Sequence, residues 1–182
     1  MIRNRTAIIT VAVLFLSLIA VLVFPKAEDE LLHLSYPLKY EEIVKAQAKE
    51  FKLSEDLVYA VIRTESGFDE GATSHAGAKG LMQLTDDSFL WMQQLLGEEG
   101  QYSDIYDPQA NIRYGCALLS HLKKYYGNEK LAICAYNAGI GNVDSWIESG
   151  LKIKNGKDIP FPETENYLNK VLSAKEMYEK LY

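Results

Sequence analysis

What this chain has little of narrows its possibilities first. It carries two cysteines, Cys116 and Cys134, and three histidines, His33, His75 and His121. The histidines share no metal-ligand spacing with the cysteines, so neither a metal nor a cofactor is implied. Both cysteines sit among apolar neighbours in helical-looking sequence and read as two buried thiols, with a single disulfide as the alternative. Basic residues are in the minority, 19 Lys and Arg against 25 Asp and Glu, for a net charge of -6. No clustered basic stripe with interleaved aromatics appears, which argues against a nucleic-acid footprint. No stretch alternates convincingly with period two, so the fold reads as mainly α. There is no internal repeat and no low-complexity tract.

What remains is an ordinary globular composition, 48% hydrophobic and 24% charged over 182 residues, enough for one domain with a real core. The N-terminus is the exception. Arg3 and Arg5 precede a run from Ala7 to Phe24 without a charge, long enough as a helix, roughly 27 Å, to match the hydrocarbon thickness of a bilayer. Pro25, Lys26 and then Glu28-Asp29-Glu30 follow. Positive charge before the span and acid after it predict a cytoplasmic N-terminus with everything downstream outside. A cleaved signal peptide is the competing reading, but Pro25-Lys26-Ala27 is a poor cleavage site and no cysteine is placed for lipid attachment. The expected organisation is a membrane anchor over 1–24, a tether over 25–38 and a folded domain over 39–182.

Along that domain, a helix is expected from about Tyr40 to Phe51. Ser54 can cap a second that carries Leu57 to Glu65, and Thr85 a third from Asp86 to Leu96, closed by Gly97. Asp107-Pro108 is a strong start signal for a long helix ending at Gly127. Lys130 to Asn137 reads as a short apolar helix, and Asn142 restarts one through Trp146 that ends at Gly150. Leu151 to Pro162 reads as a loop, and Glu163 to Tyr182 as a final amphipathic helix.

One position breaks its pattern. Leu57, Val58, Val61 and Ile62 trace one helix face, while Arg63 and Thr64 fall on the other side. The next position on the apolar face is Glu65, a carboxylate where a leucine is expected. Burial there, and the partial negative charge of a helix C-terminus stopped by Gly67, would both raise its pKa toward that of a general acid. The plainer reading is a glutamate at a fraying helix end, turned to solvent. Asp69, Glu70, Asp86 and Asp87 are close in sequence but read as solvated loop or cap residues.

Four further stretches decide between these readings: Glu65-Ser66-Gly67-Phe68, Ser74 through Leu84 (SHAGAKGLMQL), Ala135-Tyr136-Asn137-Ala138-Gly139 and Glu163-Thr164-Glu165-Asn166-Tyr167. In this order, with Asp107-Pro108 and Asn111-Ile112 between, the chain resembles the soluble lytic transglycosylase catalytic domain of glycoside hydrolase family 23, related to goose-type lysozyme. The resemblance covers about Leu38 to Tyr182, with Leu168 standing where valine is more usual. It implies a lysozyme-like helical fold and cleavage of the MurNAc-β-1,4-GlcNAc bond of peptidoglycan without water, leaving 1,6-anhydro ends, with Glu65 as the single general acid and base. Peptidoglycan strands and the membrane are the expected partners; no envelope-complex partner can be named. A hydrolytic muramidase and a non-catalytic wall-binding scaffold are the alternatives.

Supporting residues follow from donor and acceptor inventories. Gln83 and Asn137 suit N-acetyl and hydroxyl groups, or else are amides holding loops. In the family pattern Tyr167 lies near the acid; alternatively it is a core tyrosine of the last helix. Tyr136 offers a ring face to a sugar or simply packs. Met82 reads as a wall of the groove. Ser66 lacks a nucleophile elbow and an activating histidine, and reads as a hydrogen-bonding neighbour of Glu65.

Overall fold

A computed structural model of the chain describes residues 29–150 and 159–182. The expected anchor over 1–24 lies outside the described residues, as does 151–158 of the expected loop. Among the described residues no helix is long and apolar enough to cross a membrane. Residues 29–35, within the expected tether, are helical, and Ser35 Oγ donates to Leu31 O at 2.8 Å there.

A compact unit begins at Leu38 and runs to Tyr182. Its helices are α1 (Glu41–Phe51), α2 (Glu55–Glu65), α3 (Asp86–Leu96), α4 (Pro108–Tyr126), α5 (Glu129–Ala138), α6 (Ile140–Glu148) and α7 (Pro162–Leu181). Among the described residues the only β pairing is two isolated bridges, Thr73 with Lys79 and Lys79 with Leu84, so the fold is mainly helical.

The starts are chemical. Ser54, Thr85, Asp107 and Asn128 each turn a side-chain oxygen onto a backbone N–H of the first turn, satisfying donors that the helix itself cannot. Several boundaries differ from expectation by a residue or two, among them both ends of α5 and of α6 and the start of α7. Helix α6 starts at Ile140 rather than Asn142, with no side-chain cap. Asn142 lies inside the first turn instead, where its Nδ2 donates back to Ala138 O at 2.7 Å. Helix α7 starts with Pro162 in its first turn, a residue earlier than expected, because proline lacks only a donor that would be unpaired there anyway.

Helix α2 is the spine. It packs against both α7 and α1, while α4 packs against α1, α3 and α5, and α5 against α6 and α7. Covered on two sides, α2 buries Tyr59 and Ala60 as well as the four residues of the apolar face, so its burial is wider than the one-faced pattern predicts. Each fully buried Val, Leu or Ile stabilises the fold by about 1.5–3 kcal/mol, which makes α2 a rigid mount for whatever its C-terminus carries. A second tie runs through Arg113 on α4, whose guanidinium donates to Glu50 and Gln47 of α1 and to Glu98 after α3.

Candidate active site

Glu65 is the last residue of α2, and Ser66 ends the helix. The chain then turns through Gly67 and Phe68, both at positive φ. Glu65 is half-buried rather than turned fully to solvent, and Tyr167 OH, from α7, donates to its Oε1 at 2.6 Å. Burial pushes the Glu65 carboxyl up from 4.5 to about 7, and the hydrogen bond from Tyr167 offsets part of that rise. The cause is desolvation, as a carboxylate on an apolar helix face requires. Among the described residues no second carboxylate contributes to the shift. Tyr136 and Tyr167 are held well above the usual phenol range, by burial first and then by the neighbouring Glu65 charge, so both stay protonated and act as donors.

The loop between α2 and α3 returns to this point at Gly80–Leu84. Ser66 Oγ donates to Leu81 O at 2.8 Å and accepts from Phe68 N at 3.1 Å, which ties the helix end to the returning loop. Met82 is fully buried; its side chain lies on Gly115 of α4, where a Cβ would come within 2.8 Å of Met82 Cβ. Its backbone is held at both ends, Met82 N donating to Asn111 Oδ1 at 2.7 Å and Met82 O accepting from Tyr136 OH at 2.8 Å. Gln83 sits at φ 48 and spends both amide hydrogens on the loop, donating to Ala72 O and Gly80 O. Its Oε1 accepts no hydrogen bond among the described residues.

Asn137 is exposed at the end of α5 and accepts from Thr164 Oγ1 at 2.8 Å. Together with Ala138, Phe161, Pro162, Glu163 and Thr164 it lines a cavity of about 390 Å³. Hydrogen bonds therefore pair Tyr167 with Glu65 and Tyr136 with Met82, and Ser66, next to Glu65 in sequence, bonds to Leu81, next to Met82. Gln83 joins through the loop, and Asn137 through its neighbours Tyr136 in sequence and Thr164 in space. Asp69, Glu70 and Asp86 are occupied at the surface by Gly71 N, Tyr40 OH and Lys79 Nζ, and Asp87 is exposed. Cys116 and Cys134 are free and buried; burial pushes the Cys134 thiol up to about 11, as expected of inert core thiols.

Two residues lie within stretches that the sequence reading singles out but are given no role there. Asn111, fully buried on α4, donates to Lys79 O at 3.0 Å and Ile105 O at 2.7 Å besides accepting from Met82 N. The signal was an amide one turn past the Asp107 cap, on a face otherwise apolar. Thr164 is also buried; it lies in the Glu163–Tyr167 stretch, where the sequence reading gives a role only to Tyr167.

A helical, lysozyme-like domain built round one half-buried carboxylic acid is the class these features define. The chain belongs to the Transglycosylase SLT domain family, which matches residues 42–158. It is 32% identical over 164 residues to the putative soluble lytic murein transglycosylase of Haemophilus influenzae, covering 82% of this chain and 26% of that protein. It is 31% identical over 170 residues to membrane-bound lytic murein transglycosylase C of Cronobacter sakazakii, covering 78% and 47%. Among solved structures it is similar to an inactive mutant of the lytic transglycosylase Slt from Pseudomonas aeruginosa, with a TM-score of 0.74 at 32% identity over 82% of this chain and 25% of that one. The chain thus spans about a quarter to a half of the length of these curated relatives.

Proposed function

We propose that this protein is a peptidoglycan lytic transglycosylase in which Glu65 alone supplies acid and base. The observation that carries the reading is a glutamate raised to about 7 by burial and held by Tyr167 OH at 2.6 Å, in a family whose named relatives are lytic murein transglycosylases. Protonated Glu65 gives its proton to the glycosidic oxygen between N-acetylmuramic acid and N-acetylglucosamine as the bond from C1 breaks. The resulting carboxylate takes the proton of the muramic C6 hydroxyl as that oxygen bonds to C1. The acid is restored, a 1,6-anhydro end is left and no water is consumed. Ordinary glycosidases place a second carboxylate about 5–9.5 Å from the first; here the substrate's own hydroxyl replaces the external nucleophile. Tyr167 orients the carboxyl, Gln83 Oε1 and Asn137 Nδ2 are offered to sugar hydroxyl and N-acetyl groups, and Ser66 and Tyr136 shape the wall beside them. Met82, expected as part of that wall, is fully buried against Gly115 and supports the loop from behind.

Residues 1–24 anchor the chain in the cell membrane with the N-terminus cytoplasmic, 25–38 tether it, and 39–182 work on the extracytoplasmic side. The supports are the charge-free run Ala7 to Phe24 and its charged flanks.

Mass analysis of muropeptides released from purified peptidoglycan by the full chain, beside Glu65→Gln, tests the reaction. Anhydro-muropeptides from the wild type and none from the variant are expected. Products with reducing ends would make the protein a hydrolase, and no product from either would leave a wall-binding scaffold.

A further inference from the structure

We infer that Tyr136 is a positioning residue for the Glu65 reaction, acting through the Leu81–Met82 backbone, which it clamps together with Ser66 and Asn111. The inference rests on the reading of Glu65 given above. Three side chains from separate parts of the fold converge on one dipeptide. Ser66 Oγ donates to Leu81 O at 2.8 Å, Asn111 Oδ1 accepts from Met82 N at 2.7 Å, and Tyr136 OH donates to Met82 O at 2.8 Å. The turn already closes itself, with Lys79 N donating to Leu84 O at 2.9 Å, Leu84 N to Lys79 O at 3.0 Å and Gln83 N to Gly80 O at 3.2 Å. The three side chains therefore do something the turn's own backbone does not: they fix where the turn stands relative to the rest of the domain.

Their origins say what it is fixed against. Ser66 directly follows Glu65, so one end of the clamp moves with the acid. Tyr136 feels the Glu65 charge and is felt in turn by Tyr167, the donor to Glu65. Asn111 reaches in from α4 and also holds Lys79 O and Ile105 O. Its approach needs Gly80, at φ 73, because a Cβ there would come within 2.8 Å of Asn111 Cγ. The residue after the clamped pair, Gln83, is held at φ 48, a conformation a non-glycine residue keeps only where its surroundings over-determine it. The one proton of the Tyr136 hydroxyl is committed to Met82 O, so it is not free to be donated to a sugar, and the hydroxyl acts on the site through the loop.

Removing that hydroxyl lets the Gln83 side of the site drift from the acid while leaving the acid itself alone. Misplacement of about 1 Å costs up to about a hundredfold in rate. The test is steady-state cleavage of defined glycan strands by the full-length wild type, Tyr136→Phe, Ser66→Ala and the double variant, with thermal unfolding of each. We expect kcat of Tyr136→Phe to fall about ten- to a hundredfold, KM to change little, and the pH midpoint of kcat/KM to stay at the wild-type value. Because Ser66 and Tyr136 hold the same dipeptide, the double variant should lose clearly less than the product of the two single losses. Wild-type kcat in Tyr136→Phe, or a raised KM with unchanged kcat, overturns the inference; so does strict multiplicativity in the double variant. Should Tyr136→Phe not fold, a kcat loss in Ser66→Ala at unchanged KM supports the clamp and its absence refutes it. Failure of the parent reading shows separately, as a wild type that releases no anhydro product.

Discussion

At the scale of single residues, the account turns on one proton. Glu65 in the folded chain binds it more tightly than an ordinary carboxylic acid, because burial disfavours the charge more than Tyr167 restores it. The sign of the linkage follows. Below the unfolded value of 4.5 the group is neutral in both states and costs nothing. As pH rises from there to about 7, the folded protein must either retain the proton or bury a charge, and stability falls by up to roughly 3 kcal/mol. Glu65→Gln keeps the acceptor for Tyr167 and removes the titration. Its unfolding free energy should exceed that of the wild type at pH 8 and converge on it below pH 4.5; a difference that does not vary with pH would contradict the assigned shift. Glu65 was legible in sequence because a carboxylate interrupted an apolar face. The role of Asn111 was not, since a buried amide looks like any polar residue until Lys79 and Met82, about thirty residues earlier, are brought to it.

Elements show the same division. Caps are local chemistry, one side chain and the next turn, and Ser54, Thr85 and Asp107 could all be read directly. The start of α6 could not, because Asn142 is an equally good local signal whether it caps a helix or bonds back within its first turn. Nor could the full burial of α2, which depends on α7 arriving from the far end of the chain. Packing of the loop on α4 was hidden for the same reason. Met82 fills the space left by the missing side chain of Gly115, and a methyl group there collides with Met82 Cβ and the atoms beyond it. Gly115→Ala should therefore destabilise the domain by about 1–3 kcal/mol, read as a lowered midpoint in chemical denaturation, despite alanine's better helix propensity. An unchanged or raised midpoint would mean that Met82 has room to move.

For the molecule as a whole, the proposed anchor sets where the chemistry can occur. With 29–35 helical, the tether over 25–38 reaches at most roughly 35 Å, which confines the domain to a shell above the bilayer. The full chain should sediment with membranes and resist extraction by high salt, whereas a chain beginning at residue 28 should not; release of a shortened protein into the medium would contradict anchoring. The overall helical fold and its family were readable because four short stretches keep their order along the chain. How the stretches meet was not, because the hydrogen bond between Tyr167 and Glu65 spans most of the domain's sequence.

The central claim is that one glutamate cleaves the glycan without water, and the source of the oxygen on the product tests it most directly. Digestion of purified peptidoglycan in water labelled with heavy oxygen should yield 1,6-anhydro-muropeptides whose muramic C1 carries no label, and Glu65→Gln should yield none. Label at C1, in a product heavier by one water, would show that water is the nucleophile and that the domain needs a second base.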